Sequence, residues 1–257
     1  MPKVFIGVGH GGKDPGAVGK VKEADANLYM ALGMKEELER NGYVVGISRV
    51  KDENDPLSAE IKESNAFGAD IAVEVHNNAG GGDGFEVFVQ TNKYASQSKR
   101  LAQCIETEVK KTGQKSRGIK TRLNSSGTDY FGWLRQNNRP AVLCEGFFVD
   151  SADANDYNTV AKQKAYGKVY AKGVMAYFGY SAKPVDAKYT IQCLAASNAN
   201  NATKLKNTLS EVGYYSFVLK ESGLNKVCVG KFTTAAEAEK TVADLKKKGF
   251  DGFIRKV

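Results

Sequence analysis

VFIGVGHGGKDPGAVGKVKEADANLYMALGMKEELER, residues 4–40, decides the fold. Its first five residues, VFIGV (4–8), are a short unbroken apolar run, the mark of a strand buried on both faces. A glycine-rich loop follows. From Ala24 to Arg40, Leu28, Leu32, Met34 and Leu38 fall near one face of a helix, which Asn41-Gly42 stops. The same alternation continues downstream. YVVGIS (43–48) is a second strand, Leu57 to Phe67 a helix, and IAVEVH (71–76) a third strand. GFEVFVQ (84–90) precedes a helix from about Ser96 to Thr112, and PAVLCEGFF (140–148) precedes a final helix from Asp156 to Gly179. Strands separated by helices predict an α/β domain over residues 1–180, with a mostly parallel sheet flanked by helices on both faces. Ligands of such sheets bind beyond the C-terminal ends of the strands.

GYSAKPVDAK (179–188) is polar and small, which suits a linker over 181–187. Beyond it the sequence repeats itself with a period of 36. Ile191 maps onto Val227, Ala202 onto Ala238, Leu209 onto Leu245 and Gly213 onto Gly249. Tyr214, Phe217 and Val218 map onto Phe250, Phe253 and Ile254. Each copy reads as a strand, a helix ending at glycine, and a second strand. Two copies give a small α+β unit, βαββαβ, over residues 188–257.

A chain of 257 residues with 42% hydrophobic and 26% charged residues is too apolar for disorder and long enough for one or two cored domains. The cysteines at 104, 144, 193 and 228 form no CxxC pair, and they read as reduced thiols of a cytosol. No apolar run approaches the roughly 18 residues of a membrane span. The run at 4–8 is shorter than the about 7–15 residues of a secretory core, so no export signal is expected. The net charge is +8 and unevenly placed. Residues 183–257 hold 13 Lys+Arg against 7 Asp+Glu, so the basic excess belongs to the last quarter and suits a polyanionic partner.

The only two histidines each follow an apolar strand. His10 opens GHGGKDPGAVG after VFIGV, and His76 ends IAVEVH before NNAGGGDG. Two strands of a parallel sheet delivering a histidine each to one edge is what a metal site needs. One histidine so placed reads as a hydrogen-bonded structural residue; both together favour a metal. Hydrolytic zinc takes three protein ligands and leaves a position for water. Glu23, where the glycine loop enters the first helix, is the best third ligand. Asp14, Asp25 and Glu74 are its rivals, the last because a period of two puts it on the same strand face as His76. Glu145 ends the apolar run AVLC, so partial burial should raise its pKa toward the range useful for a general base. The alternative for Glu145 is an ion pair with Arg139 or Arg135. Cys144 points to the opposite face and reads as core.

These stretches resemble a known family. VFIGVGHGGKDPGAVG through KEAD is similar to the opening of the zinc-dependent N-acetylmuramoyl-L-alanine amidases of the type 3 family. ADIAVEVHNNAGGGDGFEVFV resembles their second histidine strand, SRGIK (116–120) their Arg-Gly stretch, and RPAVLCEGFFVDSADAND their catalytic-glutamate strand. The likeness implies His10, Glu23 and His76 as Zn²⁺ ligands and Glu145 as the catalytic glutamate. Two departures stand out. Glu74 replaces what is more often a small polar residue, and Glu145-Gly146-Phe147-Phe148 departs from the usual Glu-x-Gly-Phe order, which bears on the floor of the cleft. YTIQCLAA and KVCVGKFTTAAEAEKTVADLKKKGF resemble the two halves of a sporulation-related repeat (SPOR) domain, which in its family binds peptidoglycan glycan strands. The two-domain order is similar to that of mother-cell autolysins and phage endolysins.

The expected function is therefore a cell-wall hydrolase that cuts between N-acetylmuramic acid and L-alanine of peptidoglycan, with Zn²⁺ as cofactor. The resemblance further implies synthesis in the cytoplasm and action on the wall after lysis or membrane permeation. Two other readings compete: a wall- or nucleic-acid-binding protein without catalysis, and a zinc peptidase acting on another amide. Nucleic acid is disfavoured as a partner, because KVCVGKF offers only Phe232 where an RNA-reading sheet displays several aromatics.

Overall fold

The computed structural model describes residues 2–179, 188–211, 214 and 216–257. The stretch 181–187 read as a linker, and Gly213 of the repeat, lie outside the described residues. The chain divides into two compact units, Met1–Ser181 and Ala182–Val257.

In the first unit the strands are β1 (Lys3–Val8), β2 (Val44–Ile47), β3 (Ile71–Asn78), β4 (Phe85–Val89), β5 (Ser116–Lys120) and β6 (Ala141–Phe148). The helices are α1 (Glu23–Arg40), α2 (Leu57–Phe67), α3 (Ala95–Lys110), α4 (Gly132–Gln136) and α5 (Val160–Tyr177). They form one six-stranded sheet in the order β2-β1-β3-β6-β4-β5. β1, β2, β3 and β6 run parallel, whereas β4 pairs antiparallel with β6 and takes β5 with it. One sheet face buries Val4, Ile6, Val8, Val73, Val75, Val142 and Cys144 with Met30, Met34, Leu38 and Tyr170 of α1 and α5. The other buries Phe5, Ala72 and Leu143 with Ile61, Trp133 and Leu134 of α2 and α4. The α/β sandwich expected from the strand–helix alternation is thus observed.

Three elements differ from the sequence reading. The last helix does not start at Asp156: Ala152–Tyr157 is a short 3-10 turn, and α5 begins at Val160, capped by the Thr159 hydroxyl on the Lys162 N–H. A capping threonine outranks the continuous polar pattern before it. β5 and α4 carry too few residues for a legible period. α1 and α5 close on each other because Gly167 has no side chain: a Cβ there would lie 1.8 Å from the Met30 carbonyl oxygen.

The second unit is β7 (Tyr189–Ala196), α6 (Ala199–Glu211), β8 (Ser216–Glu221), β9 (Leu224–Phe232), α7 (Ala235–Lys247) and β10 (Phe253–Lys256). Its sheet is antiparallel in the order β10-β7-β9-β8. Ile191, Ala202, Leu209, Val227, Ala238 and Leu245 are all buried in its core. α7 opens with a reciprocal capping box between Thr234 and Glu237.

Candidate metal centre and its cleft

Glycine makes the site possible. β1 and β3 pair with Gly7 opposite Glu74, and Gly9 follows under the ring of His76. A Cβ on Gly9 would stand 2.2 Å from the His76 imidazole, so only glycine lets the ring lie over the strand end. The Gly9 carbonyl is then gripped twice. It accepts from Asn27 Nδ2 at 3.0 Å and from a guanidinium nitrogen of Arg49 at 3.2 Å. Arg49 is itself buried and also donates to the carbonyls of Val8 and Ala24. His10 leaves this anchor with φ of 63°, a left-handed conformation unusual for a non-glycine residue.

The anchor points His10 into a cluster. His10 Nε2 lies 3.3 Å and His76 Nδ1 3.0 Å from the same atom, Glu23 Oε1. The two rings meet edge to face, 4.9 Å between centroids. One ligand-type atom from each of His10, Glu23 and His76 falls within 4.8 Å of the others. Glu23 is the first residue of α1, and its Oε2 accepts from the Ala17 N–H. Burial alone would raise the Glu23 carboxyl, but hydrogen bonds from His10 and His76 outweigh it and hold the group far below the usual carboxylate range. His10 is raised, first by its hydrogen bond to Glu23. Burial pushes His76 down, yet its bonds to Glu23 and Glu74 and the charge of Glu145 leave it raised well above an ordinary histidine. Two imidazole nitrogens and one ionised carboxylate oxygen are the donor set of a divalent metal, so the residues fit such an ion.

The rivals fall elsewhere. Asp14 accepts at 2.8 Å from the far nitrogen of His10, and Glu74 Oε1 lies 3.3 Å from the far nitrogen of His76. Asp25 pairs with Lys22 at 2.8 Å. None of the three joins the converging atoms.

Glu145 stands beside His76 in register on β6, with Glu86 of β4 next in the row. Its Oε2 is buried and has no hydrogen-bond partner among the described residues. Burial pushes its carboxyl up to about 7, with the neighbouring His76 opposing and Glu23 adding to the rise. The suggested ion pairs do not form: Arg139 donates to the Ala69 and Asn65 carbonyls, and Arg135 to those of Asp129 and Tyr130. Arg117 of SRGIK and Lys120 bind Glu86 instead, the former at 2.6 Å. Cys144 lies in the core, as its strand parity implies. Past Glu145 the register shifts, so Phe147, not Phe148, continues the buried face of Cys144, while Phe148 lies against Gly82 and Arg117. The altered Glu-Gly-Phe-Phe order is absorbed by this irregularity.

A cleft of about 620 Å³ opens beside the histidines, walled by Pro56, Leu57, Phe131 and Trp133. Sequence reading missed those walls and also Glu60, a buried carboxylate that accepts from the Val8 N–H at 2.7 Å and from Ser48 at 3.0 Å. Burial, with Glu74 nearby, raises Glu60 well above an ordinary carboxylate. Only the i+4 step from Pro56, which places Glu60 one helical turn into α2, hinted at it.

A mostly parallel α/β sheet with a His–Glu–His cluster at its edge and a free carboxylate alongside defines the class: a hydrolase built around a candidate metal centre. The model of the N-acetylmuramoyl-L-alanine amidase family matches residues 4–176, and that of the SPOR domain matches residues 186–256. The chain belongs to the N-acetylmuramoyl-L-alanine amidase family. It is 31% identical, over 99% of its length and 84% of the relative's, to a sporulation-specific N-acetylmuramoyl-L-alanine amidase of Bacillus subtilis. It is 37% identical to an endolysin of Bacillus phage SPP1, over 58% of this chain and 56% of that protein. Among solved structures, the catalytic domain of the amidase CwlV from Bacillus (Paenibacillus) polymyxa superposes with a TM-score of 0.61 at 29% identity. That match covers 70% of this chain and 99% of the other.

Proposed function

We propose that the chain hydrolyses the amide between N-acetylmuramic acid and the L-alanine of the stem peptide, with His10, Glu23 and His76 holding Zn²⁺ and Glu145 moving the proton. The observation that carries this reading is the convergence of His10 Nε2 and His76 Nδ1 on one oxygen of Glu23, in a chain that belongs to the amidase family. Held by His10, Glu23 and His76, a zinc ion would supply Lewis acidity for the hydrolysis near neutral pH. The ionised Glu23 supplies the negative charge that such an ion needs. Glu145 takes the proton of the attacking water on its unpartnered Oε2 and returns it to the leaving amine of L-alanine. A carboxyl near 7 suits both halves of that task, because it neither holds the proton too tightly nor gives it up too early. The cleft walls of Leu57, Phe131 and Trp133 exclude water from one side of the substrate.

Purified cell walls test the reaction. A strong chelator should abolish their digestion, and added zinc should restore it. Mass spectrometry of the products should find stem peptides with new free L-alanine N-termini. Ends exposed at any other amide would mark a peptidase instead.

We also assign the work to two parts: residues 1–180 carry the chemistry, 181–187 link, and 188–257 hold the chain to the wall. Support comes from the separate cores and from the basic excess of the tail. The isolated segment 183–257 is expected to sediment with peptidoglycan at low salt. Raising ionic strength to ~1 M, where the screening length falls to about 3 Å, should remove the electrostatic part and leave a glycan-specific remainder. A segment that fails to sediment even at low salt would require another role for this unit.

A further inference from the structure

Each histidine of the cluster presents one ring nitrogen to Glu23 and the other to a second carboxylate. His10 turns Nε2 inward and Nδ1 to Asp14 Oδ2 at 2.8 Å, and His76 turns Nδ1 inward and Nε2 to Glu74 Oε1 at 3.3 Å. The Asp14 contact is a hydrogen bond and the Glu74 contact a longer ion pair, and the two also differ in setting. The Asp14 side chain is 68% exposed, while that of Glu74 is 2% exposed. Water competes for Asp14 and screens it; it does neither for Glu74.

We propose that Glu74 is a positioning residue for the metal centre: it accepts the Nε2–H of His76 and so keeps the Nδ1 lone pair aimed at the ion, while Asp14 does the same for His10 more weakly. This rests on the metal reading above and extends it to the residues behind the ligands. Three further observations support it. Glu74 is buried, and its Oε2 has no partner among the described residues, so the side chain is a cost to the fold that its contact with His76 has to justify. No lysine or arginine pairs with it among the described ion pairs, so His76 is the group it serves. Position 7, directly opposite in the sheet, is glycine, and a Cβ there would fall 1.9 Å from Glu74 Oε2. The strand leaves room for this carboxylate. A carboxylate on the outer nitrogen fixes both tautomer and ring angle of a metal-bound histidine and makes it a better donor, and its loss costs about 10–100-fold in metal affinity.

The test is zinc affinity of the full chain, measured by competition with a chromogenic chelator, alongside long-range ¹H–¹⁵N spectra that read the His76 tautomer. Glu74→Gln preserves shape and one acceptor and should weaken zinc about 10-fold. Glu74→Ala should approach 100-fold and mix the two tautomers of His76, and Asp14→Asn should lose less than Glu74→Gln. Thermal unfolding of the metal-free variants shows whether each still folds; if Glu74→Ala does not, Glu74→Gln decides. Affinity within twofold of wild type for a folded Glu74→Gln chain overturns the proposal and leaves the metal site standing. Wild-type chain that binds no zinc, or His76→Ala that binds it as wild type does, overturns the metal site itself and this inference with it.

Discussion

His10→Ala, Glu23→Ala and His76→Ala should each lose zinc and hydrolysis in one step. Three donors are the minimum for a catalytic zinc, and no other carboxylate or imidazole among the described residues joins the converging atoms. Asp14 and Glu74 cannot substitute, because each already faces the outer nitrogen of a histidine. The loss of affinity should exceed the about 10–100-fold that changes behind the ligands cost. Glu23→Ala is the most informative of the three. It removes the one oxygen on which both rings converge and leaves two half-buried imidazoles with only their outer carboxylates, Asp14 and Glu74. Metal content by elemental analysis and activity on walls, measured on the same preparations, check the set. If Glu74→Ala strips the metal while Glu23→Ala keeps it, the third ligand is Glu74.

Glu145→Gln is the second large effect, and its signature is the opposite: zinc retained, hydrolysis reduced at least ~10²-fold, the scale of losing general acid–base catalysis. Near-normal turnover would reduce Glu145 to a structural carboxylate. The same variant has a second readout in the metal-free chain. The folded-state pKa of Glu145, about 7, lies above the 4.5 of an ordinary glutamate. Its folded form therefore holds a proton that the unfolded chain has released across pH 4.5–7, and stability falls as pH rises through that window. Glutamine cannot ionise, so Glu145→Gln should be more stable than wild type at pH 8 and near it at pH 4. Two and a half pKa units correspond to about 3 kcal/mol at most. Denaturant titrations at the two pH values measure the difference; parallel behaviour of both chains would show that the carboxyl is not held neutral by burial.

The parts of this molecule that were legible in sequence share a physical cause. β1 and β6 open as continuous apolar runs, and β3 is broken only by Glu74, because both their faces are covered; a run that leads to His10, His76 or Glu145 marks the place where the sheet meets its cleft. The 36-residue period shows because both copies bury the same positions. What stayed hidden depends on three-dimensional approach. Arg49 carries no mark of burial in the sequence, yet it is buried and ties Val8, Gly9 and Ala24 together. The antiparallel placement of β4 and the one-turn α4 with its Trp133 leave no periodic trace, and the Glu60 carboxylate under the cleft leaves only its place in the first turn of α2. The choice among Glu23, Asp14, Asp25 and Glu74 could not come from spacing, since all four lie within reach of a histidine in sequence or strand parity. Geometry separates them by which nitrogen each one meets.

The glycine at position 7 constrains how this site can change over generations. Any side chain there meets Glu74 Oε2 and comes within 2.9 Å of Glu60 Oε1, so both carboxylates would have to shift. The closer of the two contacts is with Glu74, so a substitution at position 7 should be tolerated better once residue 74 has been shortened. The space left by one hydrogen atom on the first strand thus sets how closely a carboxylate can stand behind the second histidine.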